Sequence, residues 1–568
     1  MKKLLTTLMA SALLLSSLAA CQPADPGEES GAETDMTPTA GNDITDEVTE
    51  PETKEIASIE PKIIPITYEH ILPAEDLERF IAEVDYLPDD PDPKGVHDNS
   101  SKEVGVIDSP YFTMSVNGVP VECYATRSAK GAHSFAIMDV TDTTFPLEVT
   151  VTVEPTLSKV TILPEHYGVV PTADGQTVTA TIEDYGNYTL VVNNKKELAL
   201  TIFVREDKEY VAPEGYEIVK IAPGVHNEKL VFTDQKQVMY FEAGVHYLKY
   251  KVDFLSNTEV YFEPGTYIYA TMPDFEEDPL RPEPNDEGNY TWDALFKGDE
   301  VENVRITGHG FVEMSNLEMH ARGFIQFNLS TNVTLDGFTG NNCPDWTIYM
   351  SRCNEVNINE VALFGYRQNS DAICIEDSRN VLVQNCFARS GDDHFEIKSR
   401  YGHYTEPIEN IVFDNCNAWP DKARGIGIIN EVRRDMTNIT FKNCSVGFAT
   451  ASWMDDLGAL VVFSEHNEAK VTNVTFENIE VHHADQYAVL IVLGEDCAAQ
   501  FENIVFRNVT FKDSAPVRIN NRSTVGGTIK NVVFENCYRK QRQINKKSLL
   551  IPRFTNVDES EITYVVTD

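Results

Sequence analysis

The sequence predicts an all-β protein: a parallel β-helix preceded by a small antiparallel β-sandwich domain. Three observations predict it. A strand phrase (Asn, aliphatic, any residue, aliphatic or Phe, any residue, Asn or Gly) begins at Asn303, Asn332, Asn380, Asn410, Asn438, Asn473, Asn503 and Asn531. No helical period separates the copies, so leucine-rich and helical repeats are excluded. Ahead of them, from Val104 to about Val204, apolar residues alternate with polar ones at period two, as in half-buried strands.

The chain divides into four parts in order: 1–20, 21–64, 65–212 and 213–568. Met1-Lys2-Lys3 is basic and Leu4 to Leu18 is apolar, the pattern of a secretory signal peptide. Leu18-Ala19-Ala20-Cys21 resembles the bacterial lipobox, which implies cleavage before Cys21 and a lipid anchor on its thiol. Residues 22–60 hold twelve acids and one lysine, Lys54, too polar for a core and self-repelling. They predict a tether that holds the folded part away from the outer side of a bacterial membrane, at the cell surface. Residues 70–84 carry a helical period (Leu72, Leu77, Phe80, Ile81, Val84). The runs Leu147-Glu-Val-Thr-Val-Thr-Val and Thr177-Val-Thr-Ala-Thr-Ile, with turn pairs Asn117-Gly118 and Asp174-Gly175, then read as the sandwich.

After Pro213, Phe241-Glu-Ala-Gly-Val-His and Phe262-Glu-Pro-Gly-Thr-Tyr are near-copies, and the Asn phrases follow, the later ones spaced 30, 28, 35, 30 and 28 residues. One strand phrase per coil predicts a solenoid. The alternating Val, Ile and Phe point inward, and the asparagines sit at turns where their amides bond their counterparts on neighbouring coils. Cys386, Cys416, Cys444 and Cys537 share one frame, which predicts an inward stack of free thiols rather than a disulfide framework or a zinc site.

Charge narrows the partners. There are 46 basic residues against 90 acidic, net −44. Nucleic-acid phosphates would repel such a chain. No cofactor or metal is expected, and the chain is expected to be monomeric.

The chemistry lies where polar groups one coil apart break the repeat. Asp371 precedes Asp392 and Asp393 by 21 and 22 residues, one coil, so stacking gathers three carboxylates. Crowded carboxylates raise at least one pKa, giving an acid beside ionised bases. Glycosidic cleavage needs that pair, and a carboxyl separation of about 6.5–9.5 Å would leave room for a water and predict inversion.

At these residues the sequence resembles a family. Asn369-Ser-Asp-Ala-Ile, then Asp377 to Cys386, then Gly391-Asp-Asp and Ile397-Lys-Ser resemble the polygalacturonase-like glycoside hydrolases, whose hallmark is Asn-Thr-Asp-Gly followed by Gly-Asp-Asp. The resemblance implies a right-handed β-helix, Asp392 as general acid, and Asp371 with Asp393 holding the water. Two departures stand out. The family's Gly-His-Gly is replaced by Ala423-Arg424-Gly425, and its Arg-Ile-Lys, which grips a uronate carboxylate, by Gly458-Ala-Leu-Val-Val-Phe-Ser464. The dextranase and isopullulanase type also lacks those two motifs and carries an N-terminal β-sandwich. The expectation is therefore an inverting hydrolase of a neutral polysaccharide, dextranase-like. The alternatives are a polygalacturonase acting on pectin and a noncatalytic glycan-binding β-helix.

Six further residues are expected to bind substrate: Arg424, Lys398, Glu396, Asn369, Trp419 and Trp453. Glu396 and Lys398 alternate on one strand and so share a face. Arg424 takes the histidine's place as a compensating cation. Arg367 is a candidate for a sugar hydroxyl, and His394 for the missing histidine's role, although it should point away from Asp393. The segment 272–299, rich in Pro and acids, is a candidate wall at one groove end.

Overall fold

A computed structural model describes residues 63–65, 105–128, 131–271, 293–317, 320–513, 515–551 and 555–567. The signal peptide, Cys21, the helical period of 70–84 and most of the segment 272–299 lie outside the described residues. The tether was expected through residue 64, but Ile63–Pro65 is already a strand, paired antiparallel with Met138–Val140.

Two sheets follow. The larger centres on Gly131–Val140, which pairs antiparallel with Tyr124–Ser128 and parallel with Ala199–Glu206. That parallel pair departs from the all-antiparallel expectation. The smaller sheet is antiparallel and includes Phe112–Val116, Leu147–Val153 and Thr177–Ile182. Alternate residues of the two sheets, such as Val149, Val151, Leu190 and Ile202, form the sandwich core. The larger sheet also buries its other face: Phe135, Ile137 and Phe203 pack on Phe311, Phe364 and Phe387 of the repeat region. This explains why Ala132–Val140 is buried at every position, whereas Leu147–Val153 alternates.

From Glu217 onward the chain winds as a parallel β-helix. Among the described residues its three sheets hold 13, 13 and 11 strands, paired in parallel from one coil to the next except for a last antiparallel pair, Tyr538–Arg539 with Arg542–Gln543. The Asn phrases form one 13-stranded sheet, and their inward Phe413, Phe441, Phe476, Phe506 and Phe534 stack with ring centroids 5.2, 4.9, 4.8 and 5.1 Å apart. That is the strand spacing, and each such pair adds about 0.5–1.5 kcal/mol beyond its buried area. The asparagines take positive φ, 53° at Asn380 and 56° at Asn410, a region Asn tolerates better than other side-chain-bearing residues. Their amides form ladders: Asn410 Nδ2 donates to Asn380 Oδ1 at 3.0 Å, and Asn415 Nδ2 to Asn385 Oδ1 at 2.9 Å. Cys386, Cys416 and Cys444 are buried free thiols on successive coils; Ile479 and Val509 hold the equivalent places before Cys537.

Candidate active site

The site sits at one corner of successive coils, where three loops lead into the 11-stranded sheet. The first runs from Gly365 into Ile373–Glu376, the second from Ser390 into Phe395–Ser399, the third from Trp419 into Ile426–Val432. The ladder places Ile373 opposite Phe395 and Phe395 opposite Ile426. Local packing holds the Gly-Asp-Asp turn. A Cβ on Gly391 would lie 2.2 Å from the Arg367 carbonyl oxygen and 2.4 Å from the Tyr366 carbonyl carbon, so only glycine fits. The Gly391 N–H donates to Ser370 Oγ at 3.1 Å, and that hydroxyl donates to the Arg367 carbonyl at 2.6 Å.

Asp371, Asp392 and Asp393 converge, with an oxygen of each within 4.8 Å of the others. The backbone N–H groups of Asn369 and Asp393 each donate to Asp392, both at 2.9 Å. Asp393 accepts the Arg424 N–H at 2.8 Å and Arg424 Nη1 at 3.4 Å. Asp371 pairs with Lys398 Nζ at 3.0 Å, and Lys398 also meets Glu396 at 2.9 Å. Four acids thus share two cations. Burial, then the charges of Asp371 and Asp393, push Asp392 up to about 8. Burial also raises Asp371, with Lys398 opposing and Asp393 adding. Burial raises Glu396 well above its ordinary range, against Lys398. Burial works against the Lys398 charge, but Asp371 and Glu396 outweigh it and hold the ammonium well above its usual value. A value of about 8 leaves Asp392 a proton to give near neutral pH, beside Asp371 and Asp393, which pair with Lys398 and Arg424. With one oxygen of each group within 4.8 Å of the others, spacing does not carry the inverting assignment, which rests on the resemblance alone.

The expected substrate-binding residues divide. Asn369 is partly exposed beside Asp392, and Trp453 is 49% exposed, its Nε1 donating to the Lys422 carbonyl at 2.6 Å. Lys398, Glu396 and Arg424 reach the acids but are buried. Glu396 lies under Lys398 and holds it, so direct sugar contact is corrected to positioning. Arg424 stacks on Phe463 at 4.9 Å and its Nε donates to the Asp456 carbonyl at 2.9 Å, tying Asp393 to the following coil. Trp419 is a correction. It is 2% exposed and packs against His133 and Phe448, because its side chain falls on the sheet that the sandwich covers. Arg367 binds the carbonyls of Met314, Ser315 and Asn342 rather than a sugar or an acid. His394 is buried and points away, its Nε2 accepting the Ser390 N–H at 3.0 Å, and burial pushes it down to about 4.

Sequence reasoning missed Arg400 and Glu376. Arg400 pairs with Glu376, stacks over Trp346 at 4.5 Å and lines a cavity of about 270 Å³ with Gln326, Asp345 and Tyr349. The available signal was the alternation that groups Glu396 with Lys398: Arg400 is the next residue in that frame, and Glu376 pairs with Lys398 one coil back.

Residues 285–515 match the model described as glycosyl hydrolases family 28. The match covers under half of the chain, and this stretch, which holds Asp371, Asp392 and Asp393, is similar to those glycoside hydrolases. Curated relatives include a probable exopolygalacturonase B of Neosartorya fischeri, 26% identical over 32% of this chain and 42% of its own. A probable polygalacturonase of Arabidopsis thaliana is 25% identical over 28% of this chain and 33% of its own. The chain thus spans less than half the length of these relatives. The solved structure of Dex49A from Penicillium minioluteum superposes with a TM-score of 0.55 at 12% identity, covering 81% of this chain and 95% of that one, a likeness of fold.

Proposed function

We propose that this protein hydrolyses the glycosidic bonds of a pectic polysaccharide, a polygalacturonase-type activity. The observation that carries the reading is the convergence of Asp371, Asp392 and Asp393 with Asp392 raised to about 8. Asp392 gives its proton to the leaving oxygen, and Asp371 with Asp393 takes one from the attacking water. Lys398 pairs with Asp371 and Arg424 with Asp393 beside the acid. Hydrolysis then inverts the anomeric carbon, as the resemblance implies; proton NMR of the first product checks this, and a retained anomer refutes it. The family 28 match and the polygalacturonase names of the relatives support a pectic substrate over a neutral one. One observation favours the neutral glycan as a second reading: Gly458–Ser464 is buried throughout and offers no cation to a uronate. Lipid attachment at Cys21 would place the enzyme on the outer side of a bacterial membrane.

The deciding experiment is reducing-end release by the full chain from polygalacturonate, dextran, pullulan and arabinan, beside an Asp392→Asn control. Cleavage of polygalacturonate that the control abolishes supports the pectic reading. Cleavage of dextran or pullulan alone moves it to the neutral glycan. Binding without cleavage by both proteins would leave a noncatalytic glycan-binding protein.

A further inference from the structure

A chain of net charge −44 repels a polyuronate at long range, so binding one needs a cation within reach of its carboxylates. The two cations at the aspartates do not offer one. Lys398 and Arg424 are 4% and 8% exposed, and each is already paired with an acid. Arg400 differs. Phe395 and Ile397 point into the coil, so Glu396, Lys398 and Arg400 point out. The Arg400 side chain is 36% exposed. Its Nε donates to Glu376, and its Nη2 donates to the Tyr349 hydroxyl at 3.1 Å. A guanidinium carries five N–H groups, and among the described residues the remaining ones of Arg400 meet no side-chain or backbone acceptor. Glu376 is fully buried and also accepts the Tyr349 hydroxyl at 2.5 Å. Held so from beneath, Arg400 lines the cavity of about 270 Å³, whose lining residues are all among those described.

Trp346 lines the same cavity and is partly exposed. Its ring centre lies 4.5 Å from the Arg400 guanidinium carbon and 4.7 Å from Lys398 Nζ. Lys398 Nζ is in turn 3.0 Å from Asp371, so one ammonium separates the indole from the catalytic carboxylates. Asp345, the acid of the lining, accepts the Trp346 N–H at 2.9 Å and has His320 Nδ1 at 3.7 Å. A flat apolar ring beside a guanidinium with unused donors matches a uronate sugar. The C–H face of the pyranose packs on the indole, and the carboxylate meets the planar fork.

We propose that Arg400 and Trp346 form a subsite for one uronate sugar beside the cleavage site, with Arg400 binding its carboxylate through the unused N–H groups. Arg400 thereby sets the preference for free over esterified uronates, a duty for which Gly458–Ser464 has no cation. Glu376 and Tyr349 are positioning residues. They fix the guanidinium before substrate arrives, so little side-chain freedom is lost on binding. The subsite rests on the pectic reading and names the residue that recognises the acid sugar.

The test compares kcat/KM on polygalacturonate and on the same polymer methyl-esterified, for the full wild-type chain and an Arg400→Gln, Glu376→Gln double variant. The second change removes an acid that would otherwise stay buried without its cation. The readout is the ratio of acid to ester, which a general loss of fold or activity does not move. The wild type is expected to favour the free acid at least about tenfold, the size of a charged hydrogen bond. The double variant should bring the ratio within about twofold of one, mostly through KM for the acid. Arg400→Lys keeps the charge but not the fork and should fall between. Equal cleavage of both polymers by the wild type, or an unchanged ratio in the double variant, overturns the subsite and leaves the hydrolase reading standing. Absence of any Asp392-dependent cleavage fails that reading instead, and binding then decides the subsite. Asp392→Asn protein, with and without the other two changes, is titrated with trigalacturonate and its methyl ester. A loss of about tenfold in affinity for the free acid alone supports the subsite; equal affinities, or no binding of the free acid, overturn it.

Discussion

Two clusters of buried charge are built by the same coils and behave oppositely. Under the sandwich, Asp421 meets Arg389 at 2.9 Å and Lys196 at 2.8 Å, and Arg389 Nη1 donates to His133 Nδ1 at 2.7 Å. Here two cations face one acid. Burial acts to raise Asp421, but Arg389 and Lys196 outweigh it and hold the carboxyl well below its usual range. In the groove four acids face Lys398 and Arg424, and Asp392 goes up to about 8. Burial pushes both carboxyls the same way, so it is the count of cations that separates them. The paired cluster fixes the sandwich to the β-helix; the overcharged one keeps a proton available near neutral pH.

That contrast can be broken at either end. The largest effect is expected at the groove: Asp392→Asn should lower kcat by about 10²–10⁴-fold. It should also change how stability depends on pH. The folded value of Asp392, about 8, exceeds the ordinary 3.8, so the native state holds this proton more tightly than the unfolded chain. Stability then falls as pH rises from about 4 to about 8. Melting curves of the Asn variant should lose part of that slope, and an unchanged slope would refute the raised value.

Arg389→Met should act in reverse. It leaves Asp421 buried with only Lys196 and should cost about 3–5 kcal/mol, read by chemical denaturation, while kcat of the folded protein stays within twofold. The loss should be present at neutral pH. It should fade at strongly acidic pH, because stability from a depressed acid is lost as pH falls through its folded value. A variant as stable as the wild type would sink the assignment of this cluster to docking.

Lys398→Met sharpens the comparison with the smallest change. Removing the cation that opposes the rise of Asp371 should shift the pH–rate limb upward and lower kcat about tenfold, a lost charged contact worth about 1.4 kcal/mol. The pH profile separates this from a structural role, which would lower activity equally at every pH.

Much of the fold was legible because it is local and periodic. The Asn–x–x–x–x–Asn frame marks two turns per coil, both left-handed at positions such as Asn410 and Asn415, and period two fixes which residues face inward. Coil-length spacing was also enough to bring Asp371 to Asp392 and Asp393. Side-chain direction outside the strands was not legible. Trp419 lies seven residues before Ile426 and was assigned to the groove, but the sandwich packs on the sheet that Trp419 follows, and no feature near Trp419 records that contact.

The sequence by itself determined the coil register, the grouping of the aspartates and the free-thiol stack, because each depends on distance along one repeating chain. Only the tertiary structure decided which cations meet which acids, that Glu396 supports Lys398 from below, and that the loop 450–457 reaches Arg518 and Arg522 two coils away. Those contacts join residues through loops of no fixed period, so their partners are set by packing in three dimensions.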